Sequence, residues 1–278
     1  MYPPELKGSI NTEHISAVDQ WLTEIHSRWT SVPEIRINPD TLRHLAVICD
    51  GNRRAATKRG VAPPFLAHLA GVETVLAIDR AARVWGIPTC TYWLWSTENW
   101  GREEAQINFM TQLARTYLTN QTLLEEFKKD DVRVIHIGSK VGIPPDIADA
   151  LASLEEWTKQ ATKHTINLAI NYGGREELAQ AIIKIASAIN NGNLEPNELI
   201  KNPSIIANYL YTAGQASPDL VIRTGVTEDE LSRTNWFMPL QTGESRFKFL
   251  PEMFPELTPQ ALIEAINHFL SYTPRMGR

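Results

Sequence analysis

Cysteine is nearly absent. Cys49 and Cys90 are the only two in 278 residues, each lies in or beside an apolar run, and no paired spacing marks a disulfide framework or a zinc site. Buried thiols in a reducing compartment are expected. Long hydrophobic runs are missing as well: charge interrupts every apolar stretch before the roughly 18 residues that a bilayer span needs. Membrane contact is therefore at most peripheral. The opening residues MYPPELKGSINTEH hold neither a basic n-region nor an apolar h-region, so no secretory signal is expected and the chain is assigned to the cytoplasm. There is no surplus of positive charge. With a formal net charge of -5, the molecule as a whole repels polyanions, so any such ligand must be held by local cations, and general nucleic-acid binding is disfavoured. Internal repeats and low-complexity tracts are absent.

Hydrophobic residues make up 43 % of the chain, enough for a sizeable core. Ile15, Val18, Trp21, Leu22, Ile25 and Trp29 recur at helical spacing, which predicts an amphipathic N-terminal helix within an extension of residues 1–40 that packs on the main domain. From residue 41 onward, strand-like and helix-like stretches alternate. Strands are expected at Leu45–Cys49, Thr89–Trp95, Val132–Ile137, Thr165–Asn171 and Leu220–Ile222; helices at Gly71–Trp85, Leu113–Lys129, Pro145–His164, Glu176–Ile189 and Pro203–Tyr211. This rhythm predicts an α/β fold, a single domain over residues 41–278 with a mostly parallel central sheet flanked by helices.

In open α/β sheets ligands bind beyond the carboxyl ends of the strands, which directs attention to four places. In LAVICDGNRRA a buried strand ends at Asp50, Gly51 and Asn52 make a tight turn, and Arg53 and Arg54 begin a helix, an arrangement suited to a diphosphate. A carboxylate such as Asp50 fits beside a polyphosphate when Mg²⁺ bridges them; the plainer reading is a helix cap with solvated arginines. In TYWLWSTENWGR, period-two alternation puts Trp93 and Trp95 on one face and Tyr92 and Leu94 on the other, as at an apolar tunnel mouth or in a filled core. INLAINYGGREEL places Gly173 and Gly174 at a strand-to-helix turn, more often geometry than a phosphate loop. In DLVIRTG, Arg223 leaves a buried strand, positioned for an ion pair or a second diphosphate.

HLAVICDGNRRA, STENW, NYGGR and DLVIRTG fall in the order and at about the spacing of the cis-prenyltransferase (undecaprenyl diphosphate synthase-like) family, and Arg275, Met276 and Gly277 resemble its R-x-G tail. The resemblance runs from His44 to the C-terminus. It implies a homodimeric, Mg²⁺-dependent transferase of prenyl groups acting on allylic prenyl diphosphates, with isopentenyl or a second prenyl diphosphate as partner substrate. Asp50 would carry the metal; Asn52, Arg54 and His68, with Gly51 and Arg53, would surround the allylic diphosphate. Ser96 and Asn99 would lie near the reacting carbons with Glu98 and Arg102, between apolar walls from Trp93, Leu94 and Trp95. Arg223, Arg233 and Asn235 would hold the second diphosphate.

The chain departs from the family pattern. Ala55 replaces an aromatic residue, Ala62, Pro63 and Pro64 replace a basic one, and the segment after Arg223 carries a four-residue insertion. Arg246 stands where the family has a metal-linked glutamate; either Glu228, Glu230 or Glu244 substitutes for it, or the second metal contact is absent. Leu94 stands where a smaller residue is usual, implying a short product of about ten to twenty carbons. An irregular lavandulyl-type or cyclised product, and a non-catalytic subunit of a hetero-oligomeric prenyltransferase, are the competing readings; the intact Asp50, Gly51, Asn52 and Arg54 speak against the latter.

Overall fold

Six strands form one sheet in the order β3-β4-β2-β1-β5-β6, and every neighbouring pair is parallel. The computed structural model describes residues 12–226 and 233–271. In chain order the elements are α1 (Thr12–Trp29), β1 (His44–Ile48), α2 (Asn52–Lys58), α3 (Ala67–Trp85), β2 (Thr89–Ser96), α4 (Glu104–Leu118), α5 (Gln121–Lys129), β3 (Val132–Ile137), α6 (Pro145–Thr158), β4 (His164–Tyr172), α7 (Gly174–Asn190), α8 (Pro196–Lys201), β5 (Leu220–Arg223), β6 (Arg246–Phe249) and α9 (Pro259–Leu270). Short 3-10 turns lie at Pro64–Leu66, Thr97–Gly101, Pro203–Tyr209 and Phe254–Glu256.

Alternation along the strands divides the core in two. Leu45 and Val47 of β1, Cys90 and Tyr92 of β2, Ile166 of β4 and Leu220 and Ile222 of β5 join a large cluster with α1, α3, α4, α6 and α9. Ala46, Ile48, Ala169 and Val221 point the other way, against Tyr172, Phe237 and Met238. Helix α1 contributes Val18, Trp21, Leu22 and Ile25, all essentially inaccessible to solvent. Burying each such side chain stabilises by about 1.5–3 kcal/mol, so the docked apolar stripe, rather than helix propensity alone, keeps this element folded.

A polar row crosses the middle of the sheet. His44 Nε2 lies 2.6 Å from Thr91 Oγ1, Asn167 Nδ2 donates to the same hydroxyl at 2.9 Å, and Asn167 exchanges hydrogen bonds with Gln215 at 2.7 and 3.1 Å. His44, Thr91 and Asn167 are fully buried, so each depends on these partners to avoid the cost of an orphaned polar group.

Three local expectations are corrected. The helix expected over 113–129 is two helices, because Asn120 Oδ1 accepts from Leu123 N at 2.9 Å and starts α5 afresh. The helix expected to reach His164 stops at Thr158; Thr162 and Lys163 instead hydrogen-bond Asp131 Oδ2, both at 3.1 Å, and His164 opens β4. Trp93 and Trp95 do not share a face. Trp93 pairs with Ala169 but Trp95 pairs with Ile170, so Leu94 is an extra residue in a bulge. Leu94 and Trp95 consequently both face the α3 and α4 side, while Trp93 stacks on Phe237 on the opposite side, with ring centroids 5.0 Å apart and planes 12° from parallel.

Candidate active site

The apolar strands β1, β2 and β5 stop at one level of the sheet, and their polar successors meet there. Asp50 follows β1. Its Oδ1 accepts from Gly51 N at 2.6 Å and from Arg54 Nη2 at 3.4 Å, and its Oδ2 accepts from Arg223 Nη2 at 2.8 Å. The turn requires glycine: Gly51 has φ 100°, and a Cβ there would stand 3.0 Å from Met253. Asn52 Nδ2 donates to Cys49 O at 2.8 Å. Its Oδ1 is buried with no hydrogen-bond partner, directed at Gly71 of α3, where a Cβ would come within 2.5 Å of it.

A cleft opens over these residues, lined by Asp50, Gly51, Asn52, Arg53, Arg54, His68, Trp93, Leu94, Trp95, Ser96, Asn99, Arg102, Arg223 and Asn235, together with Ile48 and Cys49. Of the residues expected from sequence, only Glu98 and Arg233 do not line it. Glu98 is exposed on the Thr97–Gly101 turn, and Arg233 contributes its backbone carbonyl, which accepts from Arg223 Nη1. Ile48 and Cys49 were not anticipated as lining residues, since their apolar strand positions mark them as core. Burial pushes the Cys49 thiol well above its ordinary range, so it offers no thiolate nucleophile.

Electrostatically the cleft is lopsided. Among the described residues, four guanidinium groups, Arg53, Arg54, Arg102 and Arg223, line it against the single carboxylate of Asp50. Burial, then repulsion from Arg53, lowers the Arg102 pKa, and Arg102 also lies over the Trp95 ring at 5.2 Å. His68 stands 3.3 Å from Gln106 Nε2; burial, with Arg102 and Arg53 adding to it, pushes its pKa down to about 3, so its ring is neutral at physiological pH. Crowded cations with few counter-charges are a site for a polyanion. Ser96 N donates to Asn99 Oδ1 at 3.1 Å, which fixes the Asn99 amide at the turn after β2.

The NYGGR segment is scaffolding. Asn171, at φ 52°, accepts from Trp100 Nε1 at 2.8 Å and donates to Ser139 O and Val141 O, both at 2.9 Å. Tyr172 donates to Glu177 Oε2 at 2.6 Å and accepts from Met238 N at 3.0 Å. Gly173 faces Thr97, and at Gly174 a Cβ would collide with the Trp236 carbonyl and Pro239. Gly174 thus admits close approach of the segment that brings Asn235 to the cleft, and Gly173 that of the Thr97 side chain.

Behind Leu94 and Trp95, which line both spaces, lies a second cavity with almost wholly apolar walls from α3, α4, α5, α6 and β4. Its outlines suit a hydrocarbon chain leading away from a polar head.

Arg246 is at the other end of the sheet. It pairs with Leu220, three residues before Arg223 on β5, its N donates to Asp219 O at 3.0 Å, and its guanidinium lies over the Phe269 ring at 5.4 Å. Glu244, exposed in the turn just before it, is likewise not among the cleft residues. Glu228, Glu230 and the Arg275, Met276 and Gly277 tail lie outside the described residues.

The family model described as "Putative undecaprenyl diphosphate synthase" matches residues 48–277. An isoprenyl transferase of Agrobacterium fabrum is 36 % identical over 234 residues, covering 84 % of this chain and 91 % of that protein. Cis-prenyltransferase 7, chloroplastic, of Solanum lycopersicum is 34 % identical over 241 residues, covering 86 % and 82 %. Among solved structures, lavandulyl diphosphate synthase from Lavandula x intermedia, in complex with dimethylallyl diphosphate, matches with a TM-score of 0.77 at 26 % identity, covering 87 % of this chain and all of that one. With its motif loops gathered at one cleft and this degree of likeness over most of its length, the chain belongs to the undecaprenyl diphosphate synthase family and is a prenyl-transferring enzyme.

Proposed function

We propose that the chain elongates an allylic prenyl diphosphate with isopentenyl diphosphate, in a Mg²⁺-dependent reaction that gives a short product. One observation carries the reading: a cleft lined by four guanidinium groups and one carboxylate adjoins an apolar cavity, with Leu94 and Trp95 lining both. In this reaction the allylic carbon–oxygen bond breaks and its electron pair leaves with the diphosphate. The allylic carbon bonds the terminal alkene carbon of the acceptor, and loss of a proton restores a double bond. Arg53, Arg54, Asn52 and Gly51 orient the leaving diphosphate and offset its developing charge. Arg223 and Asn235 hold the acceptor, while Trp93, Leu94 and Trp95 exclude water from the cation.

Asp50 fits a magnesium ion. It is the one carboxylate lining the cleft among the described residues, its side chain is 36 % exposed, and one carboxylate plus diphosphate oxygens is a donor set that Mg²⁺ takes. When bound, the ion neutralises charge on the leaving group. A second copy of the chain would cover the exposed Ile182 and Ile183 of α7 and the exposed Trp236 and Leu240; apolar exposure of this kind supports a homodimer. Among the described residues, no helix is long and apolar enough to cross a membrane.

The likeness to lavandulyl diphosphate synthase supports a second reading, irregular coupling of two allylic diphosphates. Incubation of purified protein and Mg²⁺ with dimethylallyl, geranyl or farnesyl diphosphate, each with and without isopentenyl diphosphate, separates the two by mass spectrometry. Products that form only with isopentenyl diphosphate support elongation; a ten-carbon diphosphate from dimethylallyl diphosphate alone supports irregular coupling; no product in any arm overturns both.

A further inference from the structure

The apolar cavity has a polar fastening in its wall. Tyr117, in the last turn of α4, lines the cavity, yet its hydroxyl leaves that wall and donates to Glu73 Oε1 on α3. The other oxygen of Glu73, Oε2, lies 2.8 Å from His26 Nε2 near the end of α1. The carboxylate is only 16 % exposed, so neither oxygen owes its satisfaction mainly to water. Glu73 is flanked on α3 by Val72, Val75 and Leu76, which form the facing wall. Three side chains therefore link three helices in series, from the N-terminal helix to the hydrocarbon space.

The position on α4 gives the link leverage. The helix ends at Leu118, one residue past Tyr117, and the chain restarts as α5 at Gln121. A last turn adjoining a break is the part of a helix most able to move outward. Charge-assisted hydrogen bonds to a partly buried carboxylate resist such movement. Burial and the neighbouring Glu73 raise the Tyr117 pKa far above its ordinary value, keeping the hydroxyl protonated as a donor. An ion pair serving only the surface would need no ring in the cavity wall.

We infer that His26, Glu73 and Tyr117 form a latch that holds the α4 wall against α3, making Tyr117 a specificity-determining residue for product length and α1 a contributor to it. The inference deepens the elongation reading and rests on it. It also gives a role in specificity to residues 12–29, which precede the family match at residues 48–277. With the latch open, the wall yields to a growing chain and longer products accumulate.

The test measures product chain lengths by mass spectrometry, with geranyl and isopentenyl diphosphates and Mg²⁺, alongside melting temperatures, for the full chain and its variants. Tyr117→Phe keeps the ring and removes only the hydroxyl; Glu73→Gln weakens both contacts. Each is expected to raise the ratio of the next-longer to the principal product by about fivefold, the scale of one hydrogen bond. His26→Ala is expected to raise it about twofold while leaving total turnover unchanged, and to add nothing in the Tyr117→Phe background, because both act through Glu73. A general loss of packing would lower melting temperatures without this non-additivity. Elongated wild-type product with unmoved ratios in Tyr117→Phe and Glu73→Gln overturns the latch alone, as do additive His26 and Tyr117 effects. A wild-type chain that makes no elongated product overturns the elongation reading and the latch with it.

Discussion

Arg223 Nη2 donates to Asp50 Oδ2 at 2.8 Å, joining the end of β5 to the loop after β1 by a charged hydrogen bond in the mouth of the cleft. Each group holds the other where a diphosphate would approach. Asp50→Asn keeps the shape and removes the charge, and is expected to lower kcat by about 10²–10³-fold, as loss of one preorganised electrostatic group does. Arg223→Lys cannot reproduce the guanidinium fork; its main effect should be a higher KM for isopentenyl diphosphate with a smaller change for the allylic substrate. Steady-state kinetics with each substrate varied in turn checks both. Undiminished turnover in Asp50→Asn would remove the carboxylate from the mechanism.

Leu94 sits where the charged cleft gives way to the apolar cavity, lifted into that position by the bulge in β2. Leu94→Ala should lengthen the product by at least one isoprene unit, since it clears the passage without touching the arginines. Product sizes read by mass spectrometry would refute the passage if they matched wild type.

Two buried histidines and a third in the cleft wall make stability depend on pH in opposite senses. His164 has Nε2 2.9 Å from Asp79 and Nδ1 2.8 Å from Ile87 O, both acceptors, so both nitrogens donate. Burial alone would lower its pKa, but the Asp79 hydrogen bond and adjacent Cys90 raise it to about 10. The folded pKa exceeds the ordinary 6.5, so its contribution is complete below about pH 6.5 and is lost as pH rises through 10. His44 and His68 are pushed down, chiefly by burial, to about 4 and about 3. There the unfolded chain binds more protons, so stability falls as pH drops from 6.5 towards 3. Melting temperature should therefore peak between these limits. His164→Gln should lower it most near pH 6 and little near pH 10; an equal loss at both would contradict a charged His164.

Gly174→Ala is expected to cost more than an ordinary surface substitution. The added methyl meets backbone, the Trp236 carbonyl, and the ring of Pro239. The segment there already holds Asn235, Trp236 and Met238 at φ 50°, 62° and 48°, conformations that persist only where surrounding contacts enforce them. Displacing it shifts Asn235 in the cleft and Phe237 from the Trp93 ring. A raised KM for isopentenyl diphosphate, with a melting temperature several degrees lower, is the expected pair of readouts.

Much of this was legible in the sequence because strand ends in a parallel sheet announce themselves: an apolar run stops, and the residues after it carry the chemistry. Asp50, Ser96 and Arg223 were found that way. The bulge was not, because period-two reasoning assumes one residue per step, and TYWLWS gives no sign that Leu94 is an extra one. Strand β6 was passed over because RFKF is short and alternates apolar with charged residues, as an edge strand does. The break before α5 did carry a signal, Asn120 at a cap position, outweighed by the apolar residues on either side. His26, Glu73 and Tyr117 lie 47 and 44 residues apart along the chain, and no local pattern relates them.

The row of buried polar groups through His44, Thr91, Asn167 and Gln215 has a bearing on how this scaffold tolerates change. Sliding β2 or β4 by one residue would turn Thr91 or Asn167 to the wrong side and strand its partners without water, so the strands admit a single alignment. Loops beyond the strand tips can vary in length because their points of departure are fixed from within the slab. A polar-to-apolar exchange at Asn167 would then unsettle the reaction end of the molecule from inside the sheet, without altering any group that meets a substrate.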